Sequence, residues 1–175
     1  VETKEKTILG YGVVNFDPAA IKDGVILDYE TLAKAAMELF EKHVIGTINT
    51  RRVAATIPAS RAYSRVMTVP TKLSKKELDD AVRFEAEQYI PIPIDELYID
   101  YISASILGEN REVLVVAVPK KIVDSYMDFF RILGLDVCAL ETTISAASRI
   151  ISVAENSNDI PTILIDLGSL SVDLT

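Results

Sequence analysis

The sequence predicts a mixed α/β protein with two sub-domains. Strand-like and helix-like segments alternate along the 175 residues, without a repeat or a low-complexity tract. Hydrophobic residues make up 49% of the chain and charged residues 25%, which is the composition of an ordinary globular protein. A chain of this size buries roughly 70% of the surface that its unfolded form exposes, so it can build a substantial core. These observations exclude a disordered tail.

Eight segments are predicted to be β-strands, because they are rich in apolar and β-branched residues and are bounded by turn signals. The predicted strands are residues 7–16, 52–57, 63–69, 97–107, 113–118, 135–140 and 162–167, and a last one that begins at Ser171. The turn Gly108-Glu109-Asn110 indicates a hairpin between two of them. The run 162–167 is apolar enough to be a strand that is buried on both faces.

Four segments are predicted to be helices, at residues 29–44, 74–89, 120–133 and 142–154. The first and third carry apolar residues at helical spacing along one face. The second begins with a capping box, in which Ser74 accepts a backbone hydrogen bond and Glu77 reaches back. It must end before Pro91 and Pro93, while Gly134 ends the third.

The charge balance and the rare residue types exclude several functions. The net charge is −8, and nucleic-acid binding depends on a basic face. The one cysteine, Cys138, cannot form an internal disulfide and is interpreted as a small core residue. The one histidine, His43, cannot supply a multi-histidine metal site and is expected near a helix C-terminus. No apolar run reaches the roughly 18 residues of a membrane span.

The segment 163–172, ILIDLGSLSV, is the most specific local motif. A strand delivers Asp166 to its carboxyl end, and Gly168 then allows a tight turn whose N–H groups can contact an anion. A carboxylate at this position can hold Mg²⁺ through water. The alternative is a simple hairpin with an Asp at its turn.

The segment from Phe84 to Pro93 joins a helix to an extended Pro-Ile-Pro run, which makes a rigid corner. It is either a plain helix stop or the wall of a groove for a partner peptide. The acidic residues Asp95, Glu96 and Asp100 that follow are expected at a solvated strand edge, although paired carboxylates can also do acid–base chemistry.

Residues 82–93, VRFEAEQYIPIP, closely resemble the helix-end signature of the PilM family, the cytoplasmic actin-like proteins of type IV pilus assembly. Four further segments resemble the family in the same order along the chain. They are residues 54–58, 73–78, 116–124 and 165–168. The resemblance implies an actin-like (ribonuclease H-like) sub-domain 1A, incomplete, at 1–58 and 140–175. It also implies an inserted α+β sub-domain 1C of the FtsA/PilM type at 59–139.

The resemblance also implies binding of ATP with Mg²⁺. Asp166, Gly168, Ser169 and, less surely, Ser171 match the second phosphate motif of actin-like ATPases, and Asp166 would hold Mg²⁺ through water. No segment matches the first phosphate motif or the adenosine motif, and the chain is interpreted as an internal fragment with an incomplete site. No catalytic residue is assigned, and the full-length protein is expected to be at most a weak ATPase.

A partner is implied as well, because the family binds the cytoplasmic tail of the inner-membrane protein PilN in a cleft between the two sub-domains. Arg83 and Glu87 share one helix face and are expected to fix such a peptide, while Tyr89, Ile90 and Ile92 provide an apolar wall. The resemblance implies a cytoplasmic scaffold, held at the inner membrane through its partners and able to self-associate.

Three other interpretations remain open. The first is an FtsA-like cell-division filament protein with the same fold. The second is a protein-interaction module that has lost nucleotide binding. The third, an actin-fold sugar kinase, would need a catalytic Asp and a sugar pocket, for which no cluster of residues is evident.

Overall fold

The computed structural model describes residues 8–155, 163–167 and 172–174. Its helices are α1 (Tyr29–Glu38), α2 (Lys75–Tyr89), α3 (Lys120–Ile132) and α4 (Thr143–Glu155). Its strands are β1 (Gly10–Tyr11), β2 (Ile21–Lys22), β3 (Val25–Ile26), β4 (Ile45–Gly46), β5 (Arg52–Ile57), β6 (Tyr63–Pro70), β7 (Leu97–Leu107), β8 (Asn110–Pro119), β9 (Asp136–Thr142), β10 (Ile165–Leu167) and β11 (Val172–Leu174). Strands and helices thus alternate, as predicted.

The chain divides into two compact units. Unit 1 comprises Val1–Ala55 and Asp124–Leu140, and unit 2 comprises Thr56–Val123 and Glu141–Thr175. The sub-domain limits inferred from the sequence, with an insertion at 59–139, remain a prediction.

Unit 2 contains an antiparallel sheet in the order β6-β8-β7. The predicted hairpin is present, with β7 and β8 joined at Gly108, which has a φ of 63° that favours glycine. The pairing brings the first residue of β7, Leu97, opposite the last residue of β8, Pro119. A bulge between Ser103 and Ser105 shifts the register farther along β7.

Helix α2 packs on one face of this sheet. Its buried residues Leu78, Val82 and Ala86 are four apart and form one stripe. Alternate residues of the strands face this stripe, among them Val113 and Val115, which are at most 2% exposed.

The predicted capping box at the start of α2 is present. Ser74 Oγ accepts a hydrogen bond from the Glu77 N–H at 3.3 Å, and the Ser74 N–H donates to Glu77 Oε2 at 2.8 Å. The Ser74 hydroxyl also donates to Glu77 Oε2, at 2.7 Å. This bond is the largest cause of a lowered pKa of the Glu77 carboxyl, and the bond from the Ser74 N–H adds to it.

Unit 1 has a small core of Ala20, Ile26 and Leu32, against which Tyr126 and Phe129 of α3 pack. The Ile26 N–H donates to the buried Ser125 Oγ at 3.2 Å. Helix α1 ends at Glu38 and continues as one π-helical turn, Leu39–His43, so the helix predicted at 29–44 changes its winding before it ends.

Three predictions about burial and strand length are wrong. Cys138 is exposed, and its thiol donates to the carbonyl of Val53 at 3.3 Å. Its neighbour Ala139 in β9 is exposed as well. Within residues 8–16, the described part of the strand predicted at 7–16, the paired strand is the two-residue β1, whose partner β4 is equally short.

The third concerns the run 162–167, which was predicted to be buried on both faces. Its described part forms the three-residue β10, in which Ile165 is 54% and Leu167 75% exposed. Within the described residues β10 pairs with β11 alone. A two-stranded hairpin leaves both faces uncovered, which accounts for the exposure.

Among the described residues, no helix combines the length and the apolar character that a membrane crossing requires.

The two faces of the sheet give a matched test of where the core lies. Val113 is fully buried under α2, whereas Val66 on the opposite face is 53% exposed. We expect Val113→Ala to lower the free energy of unfolding by about 2–3 kcal/mol, since two buried methyl groups and their packing are lost. Val66→Ala should change it by less than about 0.5 kcal/mol. Urea unfolding monitored by circular dichroism measures both, and equal losses would contradict this assignment of the core.

Candidate peptide-binding site

The corner predicted at the end of α2 is present. The Ile90 N–H donates to the Ala86 carbonyl at 3.0 Å and closes the last helical turn, and Pro91 prevents another. Ile90 is 5% exposed and packs with Ala86, Leu97 and Ala117. The corner is therefore anchored to the sheet through Ile90.

A groove of about 460 Å³ opens beside this corner. We name it the corner groove. It is lined by Pro91, Ile92, Pro93, Asp95, Glu96, Pro119, Lys120 and Lys121. Its apolar part is formed mainly by prolines, whose restricted backbone keeps its shape in the absence of a ligand.

Charged residues of both signs line the corner groove. Asp95 and Glu96 belong to the single helical turn Ile94–Glu96, which precedes β7. Lys120 and Lys121 are the first residues of α3. Lys120 Nζ lies 5.5 Å from the ring centroid of Tyr98, within the range of a cation–π contact.

The residues predicted to bind a peptide occupy different positions around this groove. Ile92 lines it, whereas Ile90 lies in the core beneath it. Arg83 contacts a lining residue, since its Nη2 lies 3.8 Å from Asp95 Oδ1, with the two side chains 55% and 93% exposed. Glu87 is exposed on α2. An ion pair so open to water contributes little to stability, so Arg83 can change partners at small cost.

Tyr89 contacts one charged residue, Arg65, that was not predicted. The Arg65 guanidinium lies 5.0 Å from the centroid of the Tyr89 ring, and Arg65 Nη2 lies 3.5 Å from Glu85 Oε1. The Tyr89 hydroxyl is buried and has no hydrogen-bond partner within the described part of the chain. Burial raises the pKa of Tyr89, with Glu85 acting in the same direction and Arg65 opposing it.

The contact of Arg65 with α2 has a signal in the sequence. Arg65 is two residues from Tyr63 and from Met67 in β6, and Met67 is two from Val69. Residues two apart in a strand point to the same face of the sheet, so Arg65 shares the face of these three apolar residues. The sequence shows this two-residue spacing, but it does not show which helix packs on that face of the sheet.

The acidic residues that follow the corner do not converge on one site. Asp95 and Glu96 line the groove, but Asp100 accepts a hydrogen bond from the neighbouring Tyr101 N–H at 2.8 Å. The described residues contain no group of three or more side chains suited to a metal ion. His43 lies in the last helical turn, as predicted, with its Nε2 3.6 Å from Glu38 Oε1.

One of the four residues predicted to bind nucleotide lies within the described part of the chain. Asp166 is exposed in β10 and is paired in register with Asp173 of β11. Carboxylates opposite each other in a strand pair repel. Gly168, Ser169 and Ser171 lie outside the described residues.

The fold is an incomplete actin-like fold with an α+β insertion, and two solved structures share it. In a structure described as a PilM-PilN type IV pilus biogenesis complex, the matched chain superposes with a TM-score of 0.79 and 27% sequence identity, over 90% of this chain. The cytoplasmic domain of EpsL, an inner-membrane component of the type II secretion system of Vibrio cholerae, superposes with a TM-score of 0.52 over 86% of this chain. At 13% identity that second likeness shows the fold alone.

The chain belongs to the PilM family of type IV pilus assembly proteins, because the family model matches residues 2–174. The resemblance inferred from the helix-end signature is thereby confirmed. The chain spans 47% of the length of the chain that it matches in the PilM-PilN complex and 57% of the EpsL domain.

The charges of Arg65 and Glu85 should shift the pKa of Tyr89 in opposite directions. Arg65→Gln removes the positive charge that lowers the pKa of Tyr89, so we expect this pKa to rise further. Glu85→Gln should lower it, because the carboxylate is one of its raising causes. A pH titration of the assigned Tyr89 ring signals by NMR measures both shifts.

The same shift gives stability a pH dependence. A tyrosine whose folded pKa is raised contributes stability that is present below its unfolded pKa and is lost as the pH rises toward the folded value. The loss with alkaline pH should therefore be steeper in Arg65→Gln than in Glu85→Gln. Shifts of the same sign in both variants would contradict the arrangement of charges around Tyr89.

Proposed function

We propose that this chain is part of a cytoplasmic scaffold of type IV pilus assembly, which binds the cytoplasmic tail of a PilN-like inner-membrane protein. The observation that carries the proposal is the likeness, over 90% of the chain, to the chain of a PilM-PilN complex. The family match over residues 2–174 supports the same role.

The corner groove is the part of unit 2 that best suits a peptide tail. Its proline-rich lining and Ile92 offer an apolar wall that is already formed, which reduces the entropy lost on binding. Arg83 has a planar set of donors suited to peptide carbonyls or a side-chain amide, and its partner Asp95 is almost fully exposed. Glu87 and Tyr89 lie in the last turn of α2, which precedes this wall along the chain, and Ile90 is buried in the core.

The tail-binding proposal predicts a specific loss in Arg83→Ala. If Arg83 anchors the tail, the variant should weaken binding by about 1–3 kcal/mol, the range of a charged hydrogen bond or a hot spot. Its free energy of unfolding should change by less than about 0.5 kcal/mol, because the contact of Arg83 among the described residues is an exposed ion pair. Calorimetric titration of a synthetic PilN tail peptide, together with thermal melts, tests both.

Lys76→Ala is the matched control, because Lys76 is an exposed cation in the first turn of the same helix, at the end away from the corner. The control should bind the tail like the wild type, and Ile92→Ala should bind it more weakly. Equal affinity of wild type, Arg83→Ala and Ile92→Ala would place tail binding away from the corner groove.

We further propose that the full-length protein binds ATP with Mg²⁺. The support is that residues 165–168 resemble the second phosphate motif of actin-like ATPases, and that Asp166 of this segment is exposed in β10. Gly168, Ser169 and Ser171 would contact phosphate through backbone N–H and hydroxyl groups, and Asp166 would bind hydrated Mg²⁺ through its carboxylate. Bound Mg²⁺ would neutralise phosphate charge.

Nucleotide binding predicts a selective effect of Asp166→Ala in the full-length protein. Mg²⁺-dependent ATP affinity should fall by about tenfold or more, since a charged interaction of over about 1.4 kcal/mol is lost. The melting temperature without nucleotide should change little, because Asp166 is exposed. Asp173→Ala is the control, since it removes the opposite carboxylate of the pair, which has no assigned ligand role.

Calorimetry with ATP in the presence and absence of Mg²⁺ measures these affinities. The 175-residue chain itself should bind ATP weakly, because the resemblance assigns it only one phosphate motif. Micromolar affinity in the chain alone, or a large loss of stability without nucleotide in Asp166→Ala, would contradict this assignment. A large loss of stability without nucleotide would indicate that Asp166 is a structural residue. It would favour the interpretation of the protein as an interaction module without nucleotide binding.

A further inference from the structure

We propose that the corner groove selects a peptide in which an apolar side chain is flanked by one basic and one acidic residue. The inference rests on the proposed function, because it takes the groove to be a peptide-binding site. It adds the chemistry that the peptide must carry.

The acidic part of the groove is available for a basic side chain. Asp95 is 93% exposed, and its contact with Arg83 at 3.8 Å is long for an ion pair. Glu96 is its neighbour in the same helical turn and is also exposed. A basic residue of a peptide can therefore approach two carboxylates, of which Asp95 alone has an ion-pair partner within 4.0 Å in the described part of the chain.

The basic part of the groove is available for an acidic side chain. Lys120 and Lys121 begin α3, and the first turn of this helix contains no acidic residue. The positive end of the helix dipole adds to their charge instead of offsetting it. The contact of Lys120 with the ring of Tyr98 orients its ammonium group without neutralising it.

The two parts are neighbours but do not neutralise each other. Leu97 pairs with Pro119, so the turn that precedes β7 and the helix that follows β8 meet at one end of the sheet. Among the described residues, no ion pair within 4.0 Å joins either lysine to Asp95 or Glu96. The proline and isoleucine surface lies in the same groove, so an extended segment can place an apolar side chain there with a charge on each flank.

Such a groove discriminates mainly by repulsion. A peptide with two acidic flanks would place one beside Asp95 and Glu96, and a peptide with two basic flanks would place one beside the lysines. Like charges brought together in an interface reduce affinity, so only the mixed peptide satisfies both parts.

The experiment uses the full chain and four synthetic peptides that share an apolar core of Ile-Leu. The flanking residues are one Arg and one Asp, two Arg, two Asp, or two Gln. Fluorescence anisotropy gives their affinities at about 50 mM and about 500 mM salt, because screening should reduce any charge preference. Lys121→Glu and Glu96→Lys reverse one charge in each part, and Lys76→Glu is the matched reversal on α2, away from the groove.

We expect the mixed peptide to bind about tenfold more tightly than the Gln peptide at low salt, with a smaller ratio at high salt. Lys121→Glu should weaken the mixed peptide and strengthen the peptide with two Arg, and Glu96→Lys should strengthen the peptide with two Asp. Lys76→Glu should change none of these affinities. Equal binding of the four peptides, binding of none of them, or no effect of the two groove variants would overturn the inference.

The PilN tail peptide, titrated in parallel, separates this inference from the proposed function. A tail whose binding depends on Arg83 and Ile92, but not on the charges at Lys121 and Glu96, overturns the charge selectivity and leaves tail binding intact. A tail that does not bind, while the mixed peptide does, overturns tail binding and supports the selectivity of the groove.

Discussion

The packing of α2 on the sheet of unit 2 is the interaction on which the candidate site depends. Leu78, Val82 and Ala86 form a stripe of residues four apart, and Ile90 continues it beyond the helix. Ile90 joins the cluster that contains Leu97, the first residue of β7. Since the stripe determines where the helix rests, it also determines that Pro91 leaves the helix beside the start of β7. The corner groove lies there as a consequence of core packing.

The end of α2 is held by side-chain contacts as well as by this stripe. The ring of Tyr89 packs against the cluster around Ile90, but its buried hydroxyl lacks a hydrogen bond within the described residues. An unsatisfied hydroxyl of this kind costs about 1–3 kcal/mol. The guanidinium of Arg65 over the ring offsets part of that cost, and Glu85 keeps the guanidinium in place. Because Arg65 lies on β6, these contacts attach the helix end to the sheet by a second route.

Features that depend on a few adjacent residues were predicted correctly from the sequence, whereas features that depend on residues far apart in the chain were not. The capping box at Ser74 and the positive-φ turn at Gly108 are set by a few adjacent residues, and both were predicted at the observed positions. The exposure of Cys138 depends instead on which face of β9 is covered, and this depends on distant residues. The corner itself was predicted, because proline acts locally. The lysines opposite it were missed, because only the pairing of β7 with β8 brings Lys120 and Lys121 to the groove.

The overall charge of the chain and the charges of the groove act over different distances. A net charge of −8 repels acidic partners at long range, but salt screens this repulsion beyond a Debye length of about 8 Å at physiological ionic strength. A peptide already in the groove lies well within that distance of Lys120 and Lys121, which no acidic residue of their own helical turn offsets. The acidic surface therefore mainly affects the rate of encounter, while these local charges discriminate among bound peptides. A predominantly acidic protein can in this way retain an acidic side chain that its net charge would repel.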